Sequence, residues 1–411
     1  MIFETEAGHR LMQRNDSAFR FFAHCAAFPA IAAVAACGDA GGGRSVLTDS
    51  AGIEIVSYNG PDHLLPAELT EEFRLGGSET DPQQSFFNVS AGTIGADAES
   101  NIYVFDREGG RIIAFDSRGR FLRSMGRSGE GPGEIGLGFA LIVKPDGTAG
   151  VLDVSKRGVV WFAPDGEPLP IQPTPPEYRG GTVATIGDAF IFPVQRITSD
   201  DKVSDALLRV DVRSDGADTA TLVVQPPNEM KPVHFPSCGM RISGMPPIFA
   251  PTMRWAANSV HVAAALGAAY DVELYDGARL IRRIRRDREP LPATEQLAIQ
   301  EIGEAMQVRV EGGVLRCGPR EVARVRDFAS TIPAIARVAL SPDGWLWVEH
   351  GAARGDPKAI DLFTPAGNYA GTLPPGSPFP ILFLPDGRIA AAETDEFDVT
   401  RLAVFRINLV D

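Results

Sequence analysis

Arg337-Val-Ala-Leu-Ser-Pro-Asp-Gly344 runs into Trp345-Leu-Trp-Val348, and after a break come Ile360-Asp-Leu-Phe363 and Pro365-Ala-Gly367. Each half is a pair of strand-length apolar runs marked off by a Pro/Asp/Gly-type turn. Proline presets φ at about −65°, aspartate bonds back to nearby amides, and glycine takes the positive φ that a tight hairpin needs. The β-branched and aromatic residues between the turns favour strands. The stretch therefore predicts a small antiparallel meander of four strands. Such a meander cannot bury both of its faces alone, so it must stack on copies of itself.

The copies are present. Leu141-Ile-Val-Lys-Pro-Asp-Gly147, Val151-Leu-Asp153, Val159-Val-Trp-Phe162 and Pro164-Asp-Gly166 repeat the pattern. Weaker copies combine Asn101–Asp106 with Arg111–Asp116, Thr185–Gln195 with Leu207–Asp211, Trp255–Ala265 with Tyr270–Gly277, and Leu382–Gly387 with Leu402–Phe405. Six such units stacked radially make an all-β, six-bladed β-propeller of four-stranded antiparallel blades. Either Ile53–Val56 or Glu72–Leu75 could supply the strand that closes the ring.

Arg127-Ser-Gly-Glu-Gly-Pro-Gly-Glu134, followed by the 141–166 unit, resembles the NHL repeat. With Asp49-Ser-Ala-Gly-Ile-Glu-Ile-Val56 it resembles the related six-bladed β-propeller lipoproteins of bacteria. The resemblance implies the fold, and implies little about activity, because propellers host unrelated functions. Gly129–Gly133 has no lysine or helix after it, as a phosphate loop would, and reads as a tight passage between blades.

Residues 1–36 read as a signal peptide, with Met12 as the expected true start. A basic segment precedes the apolar run Phe21–Ala36, which is too short and interrupted to span a bilayer permanently. The run ends in Val34-Ala-Ala-Cys37-Gly38, a lipobox-like sequence, so Cys37 is the expected lipidation site. The plainer alternative is secretory cleavage with Cys37 incidental. Residues 37–45, with Gly41-Gly-Gly43, form the expected tether, and 46–411 the propeller. An exported lipoprotein would sit on the periplasmic face of the outer membrane or at the cell surface.

The chain of 411 residues carries a net charge of −14, which argues against nucleic acid as a partner. Once Cys25 and Cys37 are set aside, Cys238 and Cys317 remain. In an oxidising compartment they could form a disulfide, although sequence alone does not show that they meet. Each lies in a stretch that departs from the repeat, 226–250 or 291–332. The second has a helix start at Thr294-Glu295, with Leu297, Ala298, Ile302 and Met306 at helical spacing. Another short helix is expected after Pro319, with Val322, Val325 and Phe328 on one face. The basic run Leu280–Arg288 reads as an outer blade strand whose charges block edge pairing.

The second strands of several units end in carboxylates: Asp106, Asp153, Glu349 and Glu393. Equivalent positions would gather them at one channel mouth, where several oxygens could hold Ca2+ or serve a metal-dependent hydrolase or lyase of lactonase-like type. Alternatively each caps its own turn. His350 beside Glu349 could form an acid/base pair, or be a plain turn residue. The sequence shows no nucleophile elbow and no His-Glu-x-x-His motif. The leading expectation is thus a monomeric, membrane-tethered module binding a protein or small molecule. The metal-dependent enzyme is the alternative, and an interaction module built on 291–332 is a third reading.

Overall fold

The computed structural model describes residues 45–77, 81, 84–86, 89–174, 178, 181–197, 202–213, 216–310, 313–394 and 400–409. The leader, Cys37 and the tether lie outside the described residues. Six blades of four antiparallel strands follow one another, the fourth extended to a six-stranded sheet by two N-terminal strands. The first blade is Ile94–Ala96, Ile102–Asp106, Arg111–Phe115 and Phe121–Met125, and the second is Gly138–Val143, Ala149–Asp153, Gly158–Phe162 and Gln172–Pro173. The third is Ala184–Ile186, Ala189–Ile197, Val203–Arg213 and Gly216–Val224. The fourth is Arg254–Ala257, His261–Ala265, Asp271–Asp276 and Arg279–Arg286, and the fifth is Ile335–Leu340, Leu346–His350, Ile360–Phe363 and Tyr369–Leu373. The sixth contributes Leu382–Phe383, Ile389–Thr394 and Thr400–Leu409.

The turns follow their chemistry. At Pro145-Asp-Gly147 the Asp146 carboxylate accepts from the Thr148 amide at 2.9 Å, and Gly147 sits at φ 85°. Strand alternation then sends successive side chains to opposite neighbours. Ile102 and Val104 join a cluster with Leu402 and Val404 of the sixth blade, while Tyr103 and Phe105 pack with Leu141 and Val151 of the second. Every pair of adjacent blades shares one such cluster. The middle strands of the blades, such as Ile102–Asp106, Ala149–Asp153, Gly158–Phe162 and Leu346–His350, are therefore buried on both sides, which is why they read as continuous apolar runs.

Both candidate closing segments are strands, with different jobs. Two precede and one closes: β1 (Ser45–Ser50), β2 (Ile53–Tyr58) and β3 (Ala67–Leu75). β3 pairs antiparallel with Thr400–Leu409 and becomes the outermost strand of the sixth blade, so an N-terminal strand and a C-terminal one clasp the ring. β2 pairs parallel with Arg279–Arg286, and β1 continues that sheet. The reading of Leu280–Arg288 as a bare sheet edge is corrected accordingly. β2 covers it, and its arginines are taken up by Glu54 on Arg282, Asp271 on Arg285, and Asp62 on Arg286 and Arg288.

The two irregular stretches build one structure. The 226–250 connection holds a hairpin, Lys231–Phe235 with Met240–Met245. The 291–332 insertion holds α1 (Glu295–Ile302), a hairpin Met306–Val310 with Gly313–Cys317, and α2 (Pro319–Arg326). The Thr294 hydroxyl caps α1 by accepting from the Leu297 amide at 3.2 Å. Helical spacing suggested that α1 extends to Met306, but it stops at Gly303, which takes φ 75°, and Met306 opens the hairpin instead. Cys238 and Cys317 are joined by a disulfide, with Cα atoms 5.3 Å apart. Around it Val233, Phe235, Met240 and Val322 form a core distinct from those of the blades.

Candidate functional site

The blades all run the same way, so the ends of their second strands lie on one face of the ring. Both irregular stretches leave outer strands at that same face, from the third and fourth blades, and return to the next inner strand. They form a cap there. Arg326 of α2 donates to the Pro246 carbonyl at 2.7 Å, and Ile248 pairs with Phe328. α1 is tied to the fifth blade, where Gln300 donates to the Arg354 carbonyl and Arg354 to the Glu301 carbonyl at 2.9 Å.

The four carboxylates occupy this face, each engaged by protein donors. Asp106 pairs with Arg111 at 3.1 Å and caps the Gly109 amide. Asp153 accepts from the amides of Gly136, Leu137, Ser155 and Lys156 and from the Ser155 hydroxyl at 2.6 Å. Burial raises the Asp153 carboxyl, but the Ser155 hydroxyl and these amides outweigh it and hold it below the usual carboxylate range. Glu349 takes a two-point contact from Arg337 and lies 3.8 Å from Lys358. Glu393 pairs with Arg74 of the closing strand at 2.9 Å. Among the described residues no group of three or more His, Cys, Asp or Glu side chains is placed to hold a metal ion. The four do not assemble as one calcium ligand set; each serves a turn, an adjacent strand or the ring closure.

His350 does not pair with Glu349, since neighbours on a strand face opposite ways. Its Nε2 lies 2.8 Å from Asp361 Oδ2, in a network the sequence reading missed. Asp361 is fully buried and receives Tyr270, Arg286 and Thr372, each at 2.6 Å. The Arg286 guanidinium also lies 4.3 Å from the centre of the Tyr369 ring and bonds Asp62 at 2.6 Å. Burial pushes the Asp361 carboxyl up, but His350, Arg286 and Thr372 together bring it down to about 2. The one sequence signal was a carboxylate inside the apolar strand Ile360–Phe363. This network fastens the fourth blade to the fifth and the 59–66 segment to both.

Arg254 was also missed. It begins the inner strand of the fourth blade, beneath the cap, and is exposed to solvent. Among the described residues its guanidinium has no hydrogen-bond or ion-pair partner. Burial nonetheless lowers its pKa, with Glu301 and Glu349 opposing that and Arg337 adding to it. Its signal in the sequence was a cation at the head of the inner strand Arg254–Ala257.

On the opposite face a cleft of about 440 Å3 lies between the sixth and first blades, lined by Glu72, Phe73, Arg118, Asp386, Arg388 and Arg406 among others. Arg388 is buried there between Asp386 at 2.6 Å and Glu72 at 3.0 Å, and Glu72 also holds Arg406. These bonds belong to the ring clasp.

The fold and the face together define a capped six-bladed β-propeller. Among solved structures it is similar to a member of the DUF4221 family from Bacteroides vulgatus, with a TM-score of 0.53 and 11% identity over 85% of this chain and 100% of that one. It also matches a protein from Bacteroides fragilis whose export is inferred, at TM-score 0.47 and 13% identity over 86% of this chain and 99% of that one. A virginiamycin B lyase from Staphylococcus aureus matches at TM-score 0.38 and 11% identity, over 84% of this chain and 100% of that one. Identities this low speak for the fold alone. Neither a protein-family model nor a curated protein sequence matches the chain. Among the described residues no helix is long and apolar enough to cross a membrane.

Proposed function

We propose that the protein is an exported, lipid-tethered β-propeller that binds a ligand or partner at its capped face. The observation that carries this reading is the cap itself. Two insertions from neighbouring blades are stapled by Cys238–Cys317 into a small unit with its own core, over the face where propeller loops converge. Long insertions in compact domains are commonly functional. The structural carboxylates on that face are spent on protein donors, which favours binding over metal-dependent hydrolysis or lysis.

Two outcomes test the reading. Calcium added to the purified protein is expected to leave its melting temperature unchanged. A rise that disappears in Asp153→Ala would put the metal-dependent enzyme first. For the tether, Cys37→Ala is expected to move the protein from the membrane pellet to the soluble fraction after cell fractionation. A variant that stays with the membranes would refute lipidation at Cys37. Ligand capture itself is followed by hydrogen exchange, with protection expected in 231–245 and 295–326 rather than on the clasp face.

A further inference from the structure

We infer that the cleft between the sixth and first blades holds the phosphate group of a small molecule, gripped by Arg118 and Arg406. The site lies on the face away from the cap and goes beyond the binding reading above. The cleft, of about 440 Å3, falls within the ordinary range of small-molecule pockets, about 300–1,000 Å3. Strands and turns of two blades build it. The closing strand β3 brings Glu72 and Phe73, its partner strand brings Arg406, and Asp386 and Arg388 of the sixth blade line it together with Ser117 and Arg118 of the first. The bonds already made there leave donors unspent. Buried Arg388 gives Nη2 to Asp386 at 2.6 Å and Nη1 to Glu72 at 3.0 Å, with its Nε also on Asp386. The other oxygen of Glu72 takes Arg406 Nε at 2.8 Å, so both carboxylates are filled by arginines.

Among the described residues the Nη groups of Arg406, the Ser117 hydroxyl and the whole Arg118 guanidinium remain without a partner. The acid in Arg118's own turn cannot serve it, because Asp116 is held by Arg120 at 2.6 Å and by the amides of Arg118 and Arg120. The cleft thus sets three guanidiniums against two carboxylates, a local positive excess in a chain whose net charge is −14. Such a spot draws an anion that the rest of the surface repels. Two arginine forks and a hydroxyl offer more donors than the two oxygens of a carboxylate can take. They suit the three terminal oxygens and near-double charge of a phosphate group. Half-buried Phe73, in the same wall, leaves an apolar side for the carbon part of a phosphate ester. A bound phosphate would join the first blade to the strands that close the ring, so binding stabilises the closure.

The test is calorimetric titration of the full chain in non-ionic detergent with inorganic phosphate, phenyl phosphate and, as a reference anion, succinate, at ionic strength held constant with chloride. Saturable binding of a phosphate probe is expected, weakened about tenfold or more by Arg118→Ala, the scale of one charge-assisted hydrogen bond. Arg118→Lys should retain part of the affinity, and Arg279→Ala, which removes an exposed arginine paired with Asp276, should retain all of it. Without phosphate, Arg118→Ala should melt with the parent, since its guanidinium has no partner to lose. The tighter of the two phosphates assigns the ligand as free phosphate or as an ester. Bound phosphate should also slow amide exchange in Ala67–Leu75 and Thr400–Leu409. No saturable phosphate binding, tighter binding of succinate, equal loss in Arg279→Ala, or a marked fall in the melting temperature of Arg118→Ala would each overturn the inference. Phosphate binding that survives Arg118→Ala and protects 231–245 and 295–326 would overturn it too, while supporting the capped face as the binding site.

Discussion

Asp361→Asn should lower stability by about 3–5 kcal/mol, the cost of leaving a buried charge without its partner. Arg286 has 4% of its side chain exposed and Asp361 none, so water cannot replace the lost carboxylate. Asp62, nearly half exposed, would remain as a weaker counterion. Urea unfolding reads the effect as a lower midpoint at unchanged slope. A companion Asp361→Asn/Arg286→Met variant should recover much of the loss, since it removes both charges together. If Asp361→Asn cost under about 1 kcal/mol, the network would be no more important than a surface pair. The same carboxylate gives a pH dependence of known sign. Its folded pKa, about 2, is below the unfolded value of about 3.9. Its contribution is therefore complete above about pH 4 and is lost as pH falls through 2, by roughly 2–3 kcal/mol in all.

Breaking the Cys238–Cys317 bond should cost about 2–4 kcal/mol, because it closes a long loop spanning 79 residues. The loss should fall on the cap rather than on the ring. The cap's apolar cluster, around Phe235 and Val322, contains no blade residue, so the unit can open without disturbing the blades. In Cys238→Ser/Cys317→Ser, amide exchange in 231–245 and 295–326 is expected to accelerate about 30- to 1,000-fold, the equivalent of that free energy. Exchange in the buried second strands of the blades, such as Ile102–Asp106 and Leu346–His350, should not change. Unaltered cap exchange, or cap and ring opening together, would contradict an independent cap.

How far the site could be read in advance differs residue by residue. Asp153 was legible as a strand-end carboxylate, but its five donors come from Gly136–Leu137 and Ser155–Lys156, and only the folded passage between blades brings the first pair to it. Glu349 and His350 are adjacent in the chain, which suggested a pair; the pleat sends one to Arg337 and the other to Asp361. Met306 kept helical spacing, yet one glycine at position 303 ended the helix before it. Arg254 carries no motif at all.

The sequence by itself determined the blades, the turns and their number. Those are local matters: a Pro-Asp-Gly turn and two apolar runs specify a hairpin wherever they stand, and a sheet apolar on both faces must find neighbours. It also marked the cysteines and the irregular stretches between the third, fourth and fifth blades. Tertiary structure alone decided which N-terminal strand closes the ring, that β2 covers the Arg279–Arg286 edge, and that the two irregular stretches form one cap. It alone decided which charges are paired with which. Pairing depends on distances between residues far apart in the chain, and a periodic pattern carries no record of them.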